Sequence, residues 1–269
     1  MKIKVLMENK ASSERFIAEH GLSIYIETGR HKILMDAGPD RRFAENARKL
    51  GVDIADIDTV VLSHGHYDHA GGLTSFMDLN DKARIYAASG YGLPHYDENG
   101  AYIGVEPALL DNPRITALED DLRIDEEILI TGFRGKCLRE AIKTFEMTEG
   151  LTGSLGKVEK HPETFAHEQY LIVSEGSKNV LFSGCSHRGI VNIASWAAEY
   201  SPAAIIGGFH LMDVKKEDYA VLNHIAEELL KVDTEYYTGH CTGTDSYVFL
   251  KERMGNRIHY AASGSEFEI

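Results

Sequence analysis

Residues 59–72 read T-V-V-L-S-H-G-H-Y-D-H-A-G-G, and this stretch decides the fold. Within it lies the apolar run Thr59-Val60-Val61-Leu62, and Val60 to Ser63 reads as the buried strand that delivers the loop after it. Directly after it, His64, His66, Asp68 and His69 fall within six positions. His64 and His66 are two apart, so their rings can converge on one ion where the chain turns. Asp68 and His69 follow as the chain enters Ala70-Gly71-Gly72, and they can face a second ion beside the first. Imidazole and carboxylate donors together suit zinc, iron or manganese. Two such ions roughly 3.5–4 Å apart form a hydrolytic clamp. A solvated loop after a strand explains one such side chain; four at this spacing point to a metal site.

Working outward, Ile3 to Met7, Leu22 to Glu27 and His31 to Asp36 read as strands, the latter two joined at Thr28-Gly29-Arg30. Phe43 to Leu50 reads as a helix ended by Gly51, and Leu73 to Leu79 as another. Strand-like pieces at Arg84 to Ala87, Arg114 to Ala117 and Ile128 to Ile130 frame an irregular stretch, about 88–164. Tyr91-Gly92-Leu93-Pro94-His95-Tyr96 within it combines aromatics with turn residues, the composition of a flap over a site or of a packed insertion. The second half repeats the plan. Tyr170 to Ser174 and Asn179 to Ser183 form a hairpin, then Ile190 to Tyr200 a helix and Ala203 to Gly207 a strand. Between Asp218 and Lys231, apolar Leu222, Ile225, Ala226 and Leu229 make a helical stripe. A strand at Glu235 to Thr238, a helix from Ser246 to Met254 and a strand near Ile258 to Ala261 complete the chain. Strand-rich halves with intervening helices fit a layered α/β fold.

The 269 residues carry no linker or repeat, which favours a single domain spanning 1–269. Hydrophobic content of 43% with 26% charged residues is that of a soluble globular protein. The N-terminal M-K-I-K-V-L-M is too short for a signal or a membrane span, so the expectation is a cytoplasmic protein without membrane partners. Cys137, Cys185 and Cys241 are odd in number and lack C-x-x-C spacing, which argues against a disulfide framework. A net charge of −14 and a pI near 5.4 argue against a nucleic-acid surface. A small anionic substrate in a local basic pocket is the expected partner, and homo-oligomer formation stays open.

H-x-H-x-D-H followed by Gly-Gly after a strand resembles the signature of the metallo-β-lactamase superfamily of hydrolases. Companions stand in order: Asp36 in I-L-M-D-A-G, Gly184-Cys185 after a strand, and His240 in T-G-H-C-T-G. Ala18 to Ser23, His167 to Gln169, Gly184 to Asn192 and Gly207 to Leu211 resemble a narrower branch. That branch includes the archaeal dihydropterin-ribofuranosylaminobenzene-phosphate synthase and related hydrolases. The resemblance implies an αββα sandwich of two packed mixed sheets with helices on the outer faces. It also implies two divalent transition-metal ions, zinc first, with iron or manganese as alternatives.

The same resemblance places Asp36 beneath the metals and a third imidazole for the first metal at His167, where Glu168 competes. It places a ligand bridging both metals at Cys185, where most relatives have aspartate. A thiolate is softer than a carboxylate and donates through a single atom. The last ligand falls to His240 or His210; His240 is assigned to the metal and His210 to substrate contact or catalysis. His187, with Arg188 and Gly189 before a helix, can hold an anion, protonate a leaving group or ligate a metal itself. Arg188 and His20 are expected to line the substrate cleft. Asp68 is expected to ligate the second metal and orient the attacking hydroxide.

The expected function is dinuclear metal-dependent hydrolysis of a small phosphorylated or ester-containing metabolite. The alternatives are a pterin-pathway synthase that joins a dihydropterin diphosphate to an aromatic ribose phosphate, a metal-dependent nuclease, and a non-catalytic metal-binding protein.

Overall fold

The apolar runs anticipated from the sequence become strands. The computed structural model describes residues 1–132, 147–152 and 158–269; Cys137 and parts of the expected flap lie outside the described residues. The first half supplies β1 (Lys2–Met7), β2 (Ser23–Glu27), β3 (Lys32–Met35), β4 (Thr59–Val61), β5 (Arg84–Ala88), β6 (His95–Tyr96), β7 (Ile115–Leu118), β8 (Leu122–Arg123) and β9 (Ile128–Thr131). Next come β10 (Thr148–Thr152), β11 (Val158–Pro162), β12 (Tyr170–Glu175), β13 (Lys178–Phe182), β14 (Ala204–Ile206), β15 (Glu235–Thr238), β16 (Ile258–Tyr260) and β17 (Glu266–Glu268). The helices are α1 (Arg42–Lys49), α2 (Tyr67–Ala70), α3 (Leu73–Leu79), α4 (Ile190–Ala197), α5 (Tyr219–Leu229) and α6 (Thr244–Met254).

One seven-stranded sheet runs β17-β1-β2-β3-β4-β5-β7, and the other runs β16-β15-β14-β13-β12-β9-β8. Each is antiparallel through its hairpins and parallel thereafter, from β3 to β7 and from β13 to β16. Parallel strands are covered on both faces, which explains why β3, β4 and β14 read as continuous apolar runs. Between the sheets, Ile24, Ile33 and Val61 meet Leu171, Val180 and Phe182. On the outer face of the first sheet, Phe43 of α1 and Phe76 of α3 bury their rings. The stripe Leu222, Ile225, Ala226 and Leu229 does the same for α5 on the second. This is the αββα sandwich. Among the described residues, no helix is long and apolar enough to cross a membrane.

The differences from expectation are local. The helix expected to reach Tyr200 ends as α4 at Ala197 and tightens into a single 3-10 turn, Ala198–Tyr200. Strand β17 went unread because three residues with glutamates at both ends carry no apolar run. Within 88–164, β7 joins the first sheet and β8 and β9 the second; β6, β10 and β11 form a separate sheet in the order β11-β10-β6.

Candidate metal centre

The chemistry-bearing side chains leave the ends of neighbouring strands. Asp36 follows β3, the His64 to His69 segment follows β4, Cys185 follows β13, His210 follows β14 and His240 follows β15. Asp36, Ser186, His210 and His240 hold left-handed φ values of 59°, 58°, 53° and 50°. For non-glycine residues such a conformation costs about 1–3 kcal/mol each, a concentration of strain typical of working sites. The motif's Gly72 has a packing reason: a Cβ there would lie 2.1 Å from the Ala37 carbonyl oxygen. Its absence lets the histidine loop press against the turn that carries Asp36. Gly184, at φ +65°, would similarly drive a Cβ to 2.3 Å from Ser63 Oγ.

Hydrogen bonds then fix which nitrogen of each ring faces inward. Asp36 Oδ1 accepts the Ser63 N–H at 2.7 Å, and Oδ2 accepts the Ser63 hydroxyl at 2.7 Å and His69 Nδ1 at 2.6 Å. Because Ser63 donates to Asp36, its oxygen accepts from His64 Nδ1 at 2.8 Å. His240 Nδ1 donates to Asn9 Oδ1 at 2.8 Å. Proton placement follows from this network. In all three rings the remaining Nε2 points to the centre, the orientation that metal-ligating histidines receive from their hydrogen-bonded neighbours.

At that centre, His69 Nε2 lies 3.0 Å from Cys185 Sγ and 3.2 Å from His240 Nε2. Asp68 Oδ2 is 3.2 Å from His240 Nε2 and 3.3 Å from His20 Nε2. On the other side of Cys185, His64 Nε2 faces His187 Nε2 at 3.2 Å. His64, Cys185 and His187 thus form one ligand group, and His69, Cys185 and His240 another, with Asp68 beside it. The Cys185 sulfur belongs to both.

The titratable groups at this point are shifted in different directions. Burial pushes His64 and His187 well down, and His240 down to about 4, so their rings are neutral imidazoles fit to donate lone pairs. Burial also lowers His69, but Asp36 and Asp68 beside it outweigh burial and lift it above the ordinary histidine value. Burial raises Asp68, yet His69, His20 and His240 together hold it well below the usual carboxylate range. Burial pushes the Cys185 thiol up, and neighbouring Cys241, Asp68 and Glu168 add to this. A divalent cation held there would take neutral imidazoles as ligands and would favour the thiolate form of Cys185.

The other expected site residues are distributed around this pair. His66 is buried and groups with His95, Glu163 and His167, while its ring centroid lies 4.5 Å from that of His64 and 4.9 Å from that of His187. His167 lies in that same neighbouring cluster. The oxygens of Glu168 accept the backbone N–H groups of His187 at 2.7 Å and Arg188 at 2.9 Å, and the Tyr170 hydroxyl at 2.9 Å. These two amides therefore already hold a carboxylate, which burial raises to about 7. His187 and Gly189 line a cleft with His210, Asn192, Phe209 and Ile225. The His187 and His210 ring centroids are 4.2 Å apart, and burial lowers His210 to about 3. His95, Glu163, Ser63 and Asn9 were not singled out in the sequence. Only His95 offered a signal, as a histidine among the aromatic and turn residues of the irregular stretch.

A family model described as the metallo-β-lactamase superfamily matches residues 17–189. The chain belongs to that superfamily. Among curated relatives, it is 32% identical to the uncharacterised protein MJ0448 of Methanocaldococcus jannaschii over 257 residues, 93% of this chain and 94% of that one. It is 29% identical to the same organism's 7,8-dihydropterin-6-methyl-4-(β-D-ribofuranosyl)-aminobenzene-5'-phosphate synthase, covering 90% of this chain and 88% of the synthase. The solved structure of Tm1679, described as a metal-dependent hydrolase of the β-lactamase superfamily, superposes with a TM-score of 0.81 at 28% identity. That match covers 100% of this chain and 99% of Tm1679. Zn(2+)-bound PqqB from Methylobacterium extorquens shares the metallo-β-lactamase fold, with a TM-score of 0.59 at 13% identity over the whole of both chains.

Proposed function

We propose that this metallo-β-lactamase-superfamily chain is a dinuclear metal-dependent hydrolase of a small anionic metabolite carrying a phosphoryl or ester group. The observation that carries the reading is the shared Cys185 sulfur, with imidazole nitrogens gathered on both sides of it. His64, His187 and Cys185 would hold one divalent ion, and Asp68, His69, His240 and Cys185 the other. The donor set suits zinc first, and iron or manganese next. Ions bound there supply Lewis acidity and make a water molecule acidic enough to attack at neutral pH.

The chain's own residues do the rest. Asp36 and Asn9 hold the His69 and His240 rings with Nε2 inward. Asp68, next to His20 at the rim, orients the attacking water through its carboxylate. His210 shares the cleft with His187 and offers a neutral ring to hydrogen-bond the substrate's leaving side. Arg188, next in sequence to His187, would supply positive charge for an anionic group, a charge that also acts on Glu168.

A second reading, pterin-pathway synthesis, is favoured by the 29% identity to the named synthase over most of both chains. It uses the same residues to join a dihydropterin diphosphate to an aromatic ribose phosphate. Zinc-loaded wild type and Asp68→Asn, assayed for metal content and for cleavage of bis(4-nitrophenyl) phosphate, test the hydrolase. Wild type should turn over slowly, and the variant should lose metal and at least about tenfold in rate. Full metal content and unchanged rate in the variant would sink the reading. Pyrophosphate release with the pterin and ribose phosphate pair, without diester cleavage, favours the synthase.

A further inference from the structure

The connection between β11 and β12 carries a strained residue with no part in the dinuclear reading. Phe165 holds a left-handed φ of 52°. Aspartate, serine and histidine fill the other non-glycine positions of this kind among the described residues. Short polar side chains tolerate that conformation through local hydrogen bonds. Phenylalanine has no such means, so the surrounding structure must enforce the bend. Thr164 and Ala166 on either side are exposed whereas Phe165 is half-buried, so the bend turns its ring inward.

That ring lies against His187. The two planes are 4° apart and the centroids 4.4 Å. The same turn reaches His187 a second time. The Phe165 carbonyl accepts the Glu168 N–H at 3.0 Å and closes the turn, and Glu168 Oε1 accepts the His187 N–H at 2.7 Å. One four-residue turn therefore holds His187 at its backbone and at its ring. The remaining neighbours are histidines at steeper angles: His210 at 49°, His64 at 69° and His66 at 79°. Phe165 is thus the ring that covers a face of the imidazole flat, while Nε2 stands 3.2 Å from His64 Nε2. A bulky left-handed residue costs at least about as much as one ring stack returns. The stack alone does not account for the bend; fixing the direction of a ring nitrogen does.

We infer that Phe165 is a positioning residue for His187: stacked flat on the imidazole, it stops that ring from turning and keeps Nε2 directed at the metal centre. The inference rests on the dinuclear reading for what His187 does there, and not for how His187 is held.

Two variants test it. Phe165→Leu keeps apolar bulk without a flat face, and Phe165→Tyr restores the face. In metal-free protein carrying isotope-labelled histidine, NMR of the His187 ring reads the contact without any activity. Wild type and Phe165→Tyr should give one narrow set of ring signals, displaced by the current of the stacked ring. Phe165→Leu should lose that displacement and broaden as the imidazole samples other rotamers. In the zinc-loaded enzyme, Phe165→Leu should lower kcat for bis(4-nitrophenyl) phosphate about tenfold with KM changed less than about twofold, and Phe165→Tyr should recover most of the rate. A side chain that only packs would show the same urea midpoint and the same rate with leucine as with tyrosine. Unchanged His187 signals in Phe165→Leu, or a kcat loss that tyrosine does not recover, would overturn the inference. A wild type that cleaves no diester refutes the hydrolase reading instead, and the ring signals then decide this one. Should Phe165→Leu fail to fold, Phe165→Asn serves as the ringless variant, since asparagine tolerates the left-handed backbone.

Discussion

Asp36→Asn removes a single negative charge from beneath the centre, and its consequences can be worked through atom by atom. The carboxylate accepts three bonds, from the Ser63 N–H at 2.7 Å, the Ser63 hydroxyl at 2.7 Å and His69 Nδ1 at 2.6 Å. Asparagine offers one accepting oxygen and one donating nitrogen. If its oxygen keeps the Ser63 N–H, its NH2 group confronts His69 Nδ1, and the ring must move its proton to Nε2. That is the nitrogen 3.0 Å from Cys185 Sγ. If the amide turns over, the buried Ser63 N–H loses its acceptor. Hydrogen bonds to charged groups contribute about 1.5–3 kcal/mol and a buried unsatisfied donor costs about 1–3 kcal/mol, so a loss of roughly 2–4 kcal/mol is expected. Misorienting one ring by its neighbour should lower affinity for the ion beside His69 about 10–100-fold. Urea unfolding of the metal-free protein reads the first quantity, and zinc titration against a competing chelator reads the second. A variant within about 0.5 kcal/mol of wild type and within about twofold in affinity would refute the account of Asp36.

Two further outcomes follow from other parts of the molecule. Cys185→Ser replaces a sulfur shared by two ligand groups with a hydroxyl, and should weaken zinc by at least about tenfold, while Cys185→Asp restores part of the affinity; equal zinc affinity in wild type and Cys185→Ser removes the thiol from the centre. Burial pushes His31 down, but Asp125 at 2.8 Å and Asp58 at 3.3 Å outweigh it and lift the ring above the ordinary histidine value. The stability this provides is therefore full below about pH 6.5 and lost as pH rises through the folded value, so His31→Gln should cost more at about pH 5.5 than at about pH 8.5. The same urea-midpoint difference at both pH values would show that the ion pairs contribute nothing.

The legible part of the fold was the part whose pattern is set by burial. Apolar runs such as Ile33-Leu34-Met35 and the stripe from Leu222 to Leu229 announce a two-sided strand and a one-sided helix, and both formed. The small sheet was not legible, because β6 is two residues long and pairs with β10, more than fifty positions away in sequence. In the centre, the spacing of His64 to His69 brought attention to the right loop, since local spacing and local geometry coincide there. Spacing says nothing of which nitrogen faces inward. That depends on Asn9, Ser63 and Asp36, whose contacts with the histidines arise in the tertiary fold. His187 and His167 illustrate the limit: both follow or precede second-half strands, and only three-dimensional packing sets one against His64 and the other against Glu163.

The location of the centre at the seam of the sandwich has a mechanical consequence. His64, Asp68 and His69 hang from the first sheet, whereas Cys185, His187 and His240 hang from the second. A slip of one layer past the other by a single strand residue, about 3.3 Å, exceeds the 3.0 Å gap between His69 Nε2 and Cys185 Sγ. The interlocked side chains of Ile24, Ile33, Val61, Leu171, Val180 and Phe182 therefore act as an alignment gauge for the ligand atoms at the strand ends. Close-packed interiors resist such sliding because any offset opens voids on one side and collisions on the other. Drift in the volume of an interlayer residue should thus register first as misalignment between the two sets of ligand atoms, before either sheet loses its own hydrogen bonds.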